Sequence, residues 1–215
     1  MVIDVYADVV CPWCYIGLQR LEQALAQRPE LKVERRWRPF QLRPEMPFLG
    51  RPWREFANEK FGGIDQAEQI FARVTRVGAQ DGIEFRFDRI STAPNTTDAH
   101  RLILLAQEHG RAWPLIRALF CAYFTDGRDI SDRQELVAIA ASNGLSAEQT
   151  RAYLASDAGR CAVEQSQLEA IYRGINSVPC YVIGGRGAIL GAQPVEMLLA
   201  AIDQARAAGA TDAAC

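Results

Sequence analysis

Two cysteines stand where an N-terminal strand pattern gives way to a helical pattern. Residues 2–6 form a short apolar run with β-branched members, which predicts a buried strand. From Pro12 to Pro29 apolar residues recur at roughly helical spacing, and proline suits the first position of a helix. Cys11 and Cys14 therefore lie at a strand-to-helix junction, with Cys11 at or just before the start of the helix.

Strand patterns recur at two further places. Residues 31–37 alternate between apolar and charged side chains and predict a half-exposed strand that stops at Pro39. Two short apolar runs around residues 184–187 predict a hairpin, and a last helix begins near Pro194. These segments flank a long region in which the strand patterns are replaced by helical ones.

The region from about Trp53 to Gly174 has the pattern of a series of helices. Glycines end several of them. Ser131 and Ser146 each precede a glutamine by three residues, the spacing of a capping box at a helix start. The order along the chain is therefore strand-helix-strand, a helical block, then hairpin-helix.

Composition and charge limit the partners that the chain can have. The 215 residues are 49% hydrophobic, which is ample for a core. The formal net charge is -2, so there is no basic field of the kind that binds a polyanion, and nucleic acid is not expected as a partner. No run approaches the ~18 apolar residues of a membrane span, and the N-terminus lacks the pattern of a signal peptide. We expect a soluble cytoplasmic protein without a membrane partner.

Six cysteines are too few for a disulfide scaffold in a chain of this length, and a reducing compartment would keep most of them as thiols. They are Cys11, Cys14, Cys121, Cys161, Cys180 and Cys215. A structural metal would require a second cysteine or histidine pair, which the sequence lacks, so no metal site is expected. The pattern favours a redox pair, and two inert core residues stay open as the alternative.

The start of a helix can make Cys11 reactive. Backbone N–H groups in the first turn have no partners, and the aligned peptide dipoles place partial positive charge there. Both stabilise a thiolate, so we expect Cys11 to be the nucleophile. Thiol-disulfide exchange needs an accessible thiolate to attack, which we expect of Cys11, and a second, less accessible thiol. Cys14, one turn further on, can reach the Cys11 sulfur as that second thiol and release whatever is bound to it. Pro12 fixes the backbone between them, and Trp13 offers a flat apolar surface beside the sulfur.

Five motifs carry a resemblance to one known family. They are CPWCYIG from Cys11, RPFQL at 38–42, NTTDAHRL at 95–102, AYFTDGRDI at 122–130 and GAQP at 191–194. Over nearly its whole length the chain resembles the DsbA-like thioredoxin superfamily, most closely the FrnE-type oxidoreductases related to 2-hydroxychromene-2-carboxylate isomerase and kappa-class glutathione transferases. The resemblance implies an α/β protein, a thioredoxin fold interrupted by an all-helical insertion domain. Residues 1–50 and 175–215 would form the thioredoxin-like domain, and residues 51–174 the insertion.

The resemblance also implies a substrate-binding segment after the insertion. Val178-Pro179 would form a cis peptide next to the disulfide, and the backbone of Val178 would pair with a bound peptide as an added strand. With Pro12 and Trp13, these are the predicted substrate-binding residues. The isomerase and transferase relatives usually have serine at the position of Cys11, where it activates bound glutathione, so the full cysteine pair favours redox chemistry.

The sequence therefore predicts a thiol-disulfide oxidoreductase that exchanges disulfides through Cys11 and Cys14. Its expected partners are protein or small-molecule thiols and disulfides. No tightly bound cofactor is expected, and glutathione stays open as a co-substrate. A glutathione-dependent isomerase or transferase acting on a small aromatic or polyketide-like substrate is the first alternative. A redox-inert binding module is the second, and a homodimer stays open as the oligomeric state.

Further predictions concern residues outside the dithiol. Cys180 is interpreted as a small residue at the start of a core strand, in preference to a third thiol near the active pair. For His100, which belongs with Asn95 to the motif at 95–102, the sequence favours packing or hydrogen bonding between the two domains over acid-base catalysis. Residues 40–42 are expected either to line the cleft between the two predicted domains or to pack as an ordinary loop.

Overall fold

The computed structural model describes residues 1–185 and 187–212 of the chain. The strands are β1 (Val2–Ala7), β2 (Glu34–Pro39), β3 (Arg51–Pro52), β4 (Thr92–Ala93), β5 (Cys180–Ile183) and β6 (Gly187–Leu190). The helices are α1 (Pro12–Ala26), α2 (Trp53–Phe61), α3 (Ile64–Gln80), α4 (Thr97–Glu108), α5 (Ala112–Phe124), α6 (Arg133–Ser142), α7 (Ala147–Ala155), α8 (Arg160–Tyr172) and α9 (Val195–Asp212). Within the described residues, no helix combines the length and the apolar character that crossing a membrane requires.

The main sheet has the strand order β2-β1-β5-β6. β1 and β2 are parallel, and α1 makes the crossover between them. The strand predicted over residues 31–37 begins later, at Glu34, because its pairing with β1 starts at Val2, and it ends at Pro39 as predicted. β5 and β6 form the predicted hairpin, although Arg186 in its turn lies outside the described residues.

The two faces of the sheet pack against different helices. Val5 of β1 and Tyr181 of β5 lie in the main hydrophobic core, together with buried residues of α1 and α9. Tyr6 and Cys180 point to the opposite face, because neighbouring residues of a strand alternate, and they form a small cluster with Ala170 of α8. The start of α1, with its two cysteines, belongs to the main core.

Seven helices, α2 to α8, lie between β2 and β5, and this order agrees with the predicted fold class. The insertion, predicted as all-helical, also contains a short antiparallel pair in which Arg51 lies opposite Ala93 and Pro52 opposite Thr92. A ladder of two residues is too short to leave an alternating pattern in the sequence. The domain boundaries after residues 50 and 174 stay predictions.

The two predicted helix caps have different outcomes. At α7 the prediction is confirmed, since the Ser146 hydroxyl accepts the Gln149 N–H at 3.3 Å. At α6 it is wrong, because Asp132 caps the helix by accepting an N–H of the first turn at 2.7 Å. The Ser131 hydroxyl instead donates to the carboxylate of Asp129 at 2.6 Å, which leaves it unavailable as a cap.

Candidate active site

Cys11 occupies the N-cap position of α1, although its sulfur accepts no N–H of the first turn. Its backbone is extended, with φ -94° and ψ 112°, and its carbonyl accepts the N–H groups of Cys14 and Tyr15 at 3.0 and 3.2 Å. Pro12 holds the first helical position, as predicted. The first turn contains no acidic residue, so no carboxylate within it offsets the positive end of the helix dipole. This is the setting in which the sequence predicts a reactive thiol.

The segment before β5 meets the start of α1 at the Cys11 sulfur. Cys11 Sγ lies 3.9 Å from the carbonyl oxygen of Val178. The peptide bond from Val178 to Pro179 is cis, which confirms the conformation predicted for it. Cys11, expected to be accessible, is only 5% exposed, against 1% for Cys14, and it lines the cavity described below.

The Cys14 thiol is held in its protonated form. Burial raises its pKa well above the ordinary value, and a hydrogen bond with Cys11 and the charges of Cys11 and Asp8 raise it further. A hydrogen bond with the backbone of Asp8 lowers that pKa in part. These properties agree with the less accessible second thiol that the sequence predicts.

A buried carboxylate lies beside the dithiol. Asp8 is 0% exposed, and its backbone carbonyl accepts the Cys11 N–H at 3.1 Å. Its Oδ2 accepts the Leu42 N–H at 2.8 Å, and its Oδ1 lies 3.2 Å from Nε2 of His100. Nδ1 of the same ring accepts the indole N–H of Trp37 at 3.2 Å. The hydrogen-bonding role predicted for His100 is therefore confirmed, and its partner stands next to the two thiols.

Asp8 is the residue of this site that the sequence analysis missed. It is an acidic residue between a buried strand and a cysteine pair. A carboxylate in such a place must find donors, because an unpaired buried charge is strongly unfavourable. That signal predicts a partner, but it does not identify His100, which lies 92 residues further along the chain.

An apolar cavity of about 450 Å³ lies beside Cys11, between the start of α1 and helices α2, α3 and α5. Eight aromatic side chains line it: Trp13, Trp53, Phe56, Phe61, Phe71, Phe87, Tyr123 and Phe124. Pro12 and Leu42 complete the wall near the sulfur. The lining includes two basic residues, Arg43 and Lys60, and Lys60 forms no ion pair with any residue in the ranges 1–185 and 187–212.

Residues 40–42 divide between the two roles considered for them. Leu42 lines the cavity, whereas Phe40 packs in the small cluster on the opposite face of the sheet. The side-chain amide of Gln41 donates to the hydroxyl of Thr97 at 3.0 Å, at the start of α4. Asn95 also stabilises the start of α4. Its Oδ1 accepts the Thr97 N–H at 2.9 Å, and its amide donates to a loop carbonyl at 2.6 Å.

Cys180 lies on the opposite face of the sheet from the dithiol. Burial raises its pKa to about 11. Both facts agree with the prediction of a core residue. Cys121 and Cys161 are free thiols on α5 and α8, and Cys215 lies outside the described residues. In that described part, no group of three or more His, Cys, Asp or Glu side chains is arranged to hold a metal ion.

Comparison with known proteins covers nearly the whole chain. A family model of DSBA-like thioredoxin domains matches residues 2–203. The crystal structure of the probable DsbA oxidoreductase SCO1869 from Streptomyces coelicolor is 34% identical, with a TM-score of 0.88 over 96% of this chain and 90% of that chain. The protein YwbO of Bacillus subtilis (strain 168) is 30% identical over 190 residues, 85% of this chain and 86% of its own. A structure of 2-hydroxychromene-2-carboxylate isomerase, 19% identical with a TM-score of 0.72 over 98% of both chains, is similar in fold.

Proposed function

This chain belongs to the family of DSBA-like thioredoxin domains, and from that membership we propose that it is a thiol-disulfide oxidoreductase working through Cys11 and Cys14. The predicted fold class, a thioredoxin fold interrupted by a helical insertion, is confirmed by the same family match. One observation carries the proposal. Three groups meet at one point: Cys11 occupies the N-cap position of α1, Cys14 is buried one turn further on, and the Val178 carbonyl lies 3.9 Å from the Cys11 sulfur.

The proposed reaction consists of two exchange steps. The Cys11 thiolate attacks one sulfur of a substrate disulfide, the substrate S–S bond breaks, and one half leaves as a thiolate that takes up a proton. Cys14 then loses its proton and attacks the Cys11 sulfur, which releases the other half and forms a Cys11–Cys14 disulfide. The substrate gains two electrons and the pair loses two, and the same steps in reverse oxidise a substrate dithiol.

The surroundings of the two thiols support different roles for them. Cys11, the residue that must attack, stands at the start of α1, where the helix dipole favours negative charge. The raised pKa of Cys14 keeps it protonated until the mixed disulfide has formed. We assign substrate contacts to the backbone of Val178 and to Pro179, and to Pro12 and Trp13, which line the cavity.

Two serine variants test this assignment. C11S should abolish dithiol-dependent reduction of a protein disulfide, because no nucleophile remains. C14S should instead accumulate a mixed disulfide at Cys11, visible by mass spectrometry. C161S, which changes an exposed thiol on α8, should behave as the wild type. Normal turnover by C11S would refute the proposal.

A second candidate function is favoured by the cavity. An aromatic-lined space of about 450 Å³ beside Cys11 suits a small apolar molecule better than an extended peptide. A glutathione-dependent isomerase or transferase would use such a space for its substrate. C11S separates the two functions, since relatives with that activity usually have serine at this position. Saturable glutathione binding and transferase activity retained in C11S would support the second candidate.

The proposal extends to partners and location. We propose protein or small-molecule thiols and disulfides as partners, with glutathione as a co-substrate of the second candidate, and a cytoplasmic location in which the remaining cysteines stay reduced. The remaining alternative, a redox-inert binding module, predicts a pair that stays reduced under a strong oxidant. Exposure of the protein to diamide, followed by thiol counting, distinguishes it from both enzymatic functions.

A further inference from the structure

Trp37 fixes the tautomer of His100. An indole N–H can only donate, so Nδ1 of His100, 3.2 Å away, accepts and carries no proton. The ring proton is therefore on Nε2, which donates to Asp8 Oδ1 at 3.2 Å. A second ring proton would point at the indole N–H. Since all three side chains are buried, His100 stays neutral in this arrangement.

Asp8 is ionised in the same arrangement. Both of its oxygens face donors, the Leu42 N–H at 2.8 Å and the Nε2–H of His100 at 3.2 Å. A protonated carboxyl group would direct its own hydrogen at one of these donors. Asp8 and His100 together therefore place one fixed negative charge in a buried position, three residues before Cys11.

We propose that Asp8, His100 and Trp37 are positioning residues that set the redox balance of the Cys11–Cys14 pair. Ionisation of the reduced pair gives it a negative charge, whereas the disulfide is neutral. A fixed carboxylate charge nearby disfavours the thiolate and leaves the disulfide unaffected, so it shifts the equilibrium toward the disulfide. The charge of Asp8 is among the causes that raise the pKa of Cys14. The inference rests on the proposed redox function.

The helical insertion supplies the central member of this chain of hydrogen bonds. His100 lies on α4, between Trp37 of β2 and Asp8 after β1. Without His100, Asp8 would lose one of the two donors that compensate its buried charge, and a buried charge without donors is strongly unfavourable. The insertion therefore acts on the dithiol through His100, with no contact between His100 and either sulfur required.

Equilibration with glutathione redox buffers at pH 7 tests the inference, with the oxidised fraction read from alkylation and mass spectrometry. D8N should shift the equilibrium toward the dithiol about tenfold, which corresponds to a potential about 30 mV higher. H100L should shift it in the same direction, because leucine cannot donate to Asp8, and W37F should do so by a smaller factor. H100Q should keep the redox equilibrium at its wild-type value, because a glutamine amide can still donate to Asp8.

Q107L is the matched control. The Gln107 side chain accepts the backbone N–H of Trp37 at 2.7 Å, so it also joins α4 to β2, yet it carries no charge. Its loss should lower the stability and leave the redox equilibrium unchanged. Should D8N fail to fold, the comparison of H100L, which removes the donor to Asp8, with H100Q, which keeps one, tests the inference instead.

Three results have distinct meanings. An unchanged equilibrium in folded D8N and H100L would overturn the inference. A shift in Q107L as large as that in D8N would also overturn it, because general loosening would then be the cause. A wild-type pair that forms no disulfide at any glutathione ratio would overturn the proposed function instead.

Discussion

Gly17 is the residue that allows α1 to approach the strand after the cis peptide bond. A Cβ atom at this position would lie 2.2 Å from the Tyr181 hydroxyl oxygen and 2.9 Å from Cγ of Pro179. Contacts this short force the neighbours to move. Because both neighbours border the segment that contacts the Cys11 sulfur, the size of residue 17 affects the geometry of the site.

G17A should therefore lower the free energy of unfolding by about 2 kcal/mol, although alanine favours helix more than glycine does. The Tyr181 hydroxyl has no hydrogen-bond partner among the described residues, so Y181F alone should change the stability little. The double variant should recover part of the loss, because the ring without its hydroxyl leaves room for the methyl group. Urea unfolding of all four proteins measures this coupling. Strictly additive effects would contradict the contact.

At the scale of elements, Arg101 joins α4 to the end of α7. Its guanidinium donates to the carboxylate of Asp98 and to the backbone carbonyls of Tyr153, Leu154, Ser156 and Ala158. Two of these carbonyls belong to the last turn of α7 and two to the backbone just after it, where the helix supplies few partners, so Arg101 provides donors for the chain as it leaves the helix. Arg101 is 0% exposed, which leaves no water to replace it.

R101M should lower the free energy of unfolding by roughly 3–5 kcal/mol, because it leaves the buried Asp98 charge and several carbonyls without this donor. R133Q is the control. Arg133 binds the same carboxylate at 2.7 Å, but its side chain is 36% exposed, so a loss below about 1 kcal/mol is expected. Chemical denaturation followed by circular dichroism compares the two variants. Equal losses would contradict the assignment of a buried structural role to Arg101.

Features that depend on neighbours in the chain can be predicted from the sequence, whereas contacts between distant segments cannot. Local patterns predict β1, the start of α1 at Pro12 and the cap at Ser146, because each depends on neighbours in the chain. The cap predicted at Ser131 is wrong because the hydroxyl of Ser131 donates to the carboxylate of a nearby aspartate. The hydrogen bonds of Arg101 with the backbone at the end of α7, and that of His100 with Asp8, join residues that are distant in the chain. No local sequence pattern predicts such contacts.

At the scale of the whole molecule, the cavity beside Cys11 lies where the thioredoxin-like part meets the helical insertion. Residues near the dithiol form one side, and α2, α3 and α5 form the other. A substrate that brings its sulfur to Cys11 can bury an attached apolar group against this lining, at about 25 cal/mol per Å² of apolar surface. Under the proposed function, the insertion would therefore give the Cys11–Cys14 pair a means of selecting substrates by shape.

I70W tests this selection. Ile70 on α3 lines the cavity and is 43% exposed, so a larger side chain can occupy part of the space without disturbing the core. The variant should lower kcat/KM at least fivefold for an aromatic disulfide such as dithiobis(nitrobenzoate), because its aromatic ring loses part of the space that it would occupy in the cavity. The rate with cystine, which is small and polar, should stay unchanged.

L168W is the matched control for that experiment, since Leu168 is an exposed apolar residue on α8, which packs on the opposite face of the sheet. It should leave both rates unchanged, and absorbance of the released thiolate or a coupled assay measures them. Equal slowing of both substrates by I70W would indicate damage to the dithiol rather than loss of a binding space. Unaltered rates with the aromatic disulfide would show that substrates reach Cys11 without entering the cavity, and that selection by the insertion is absent.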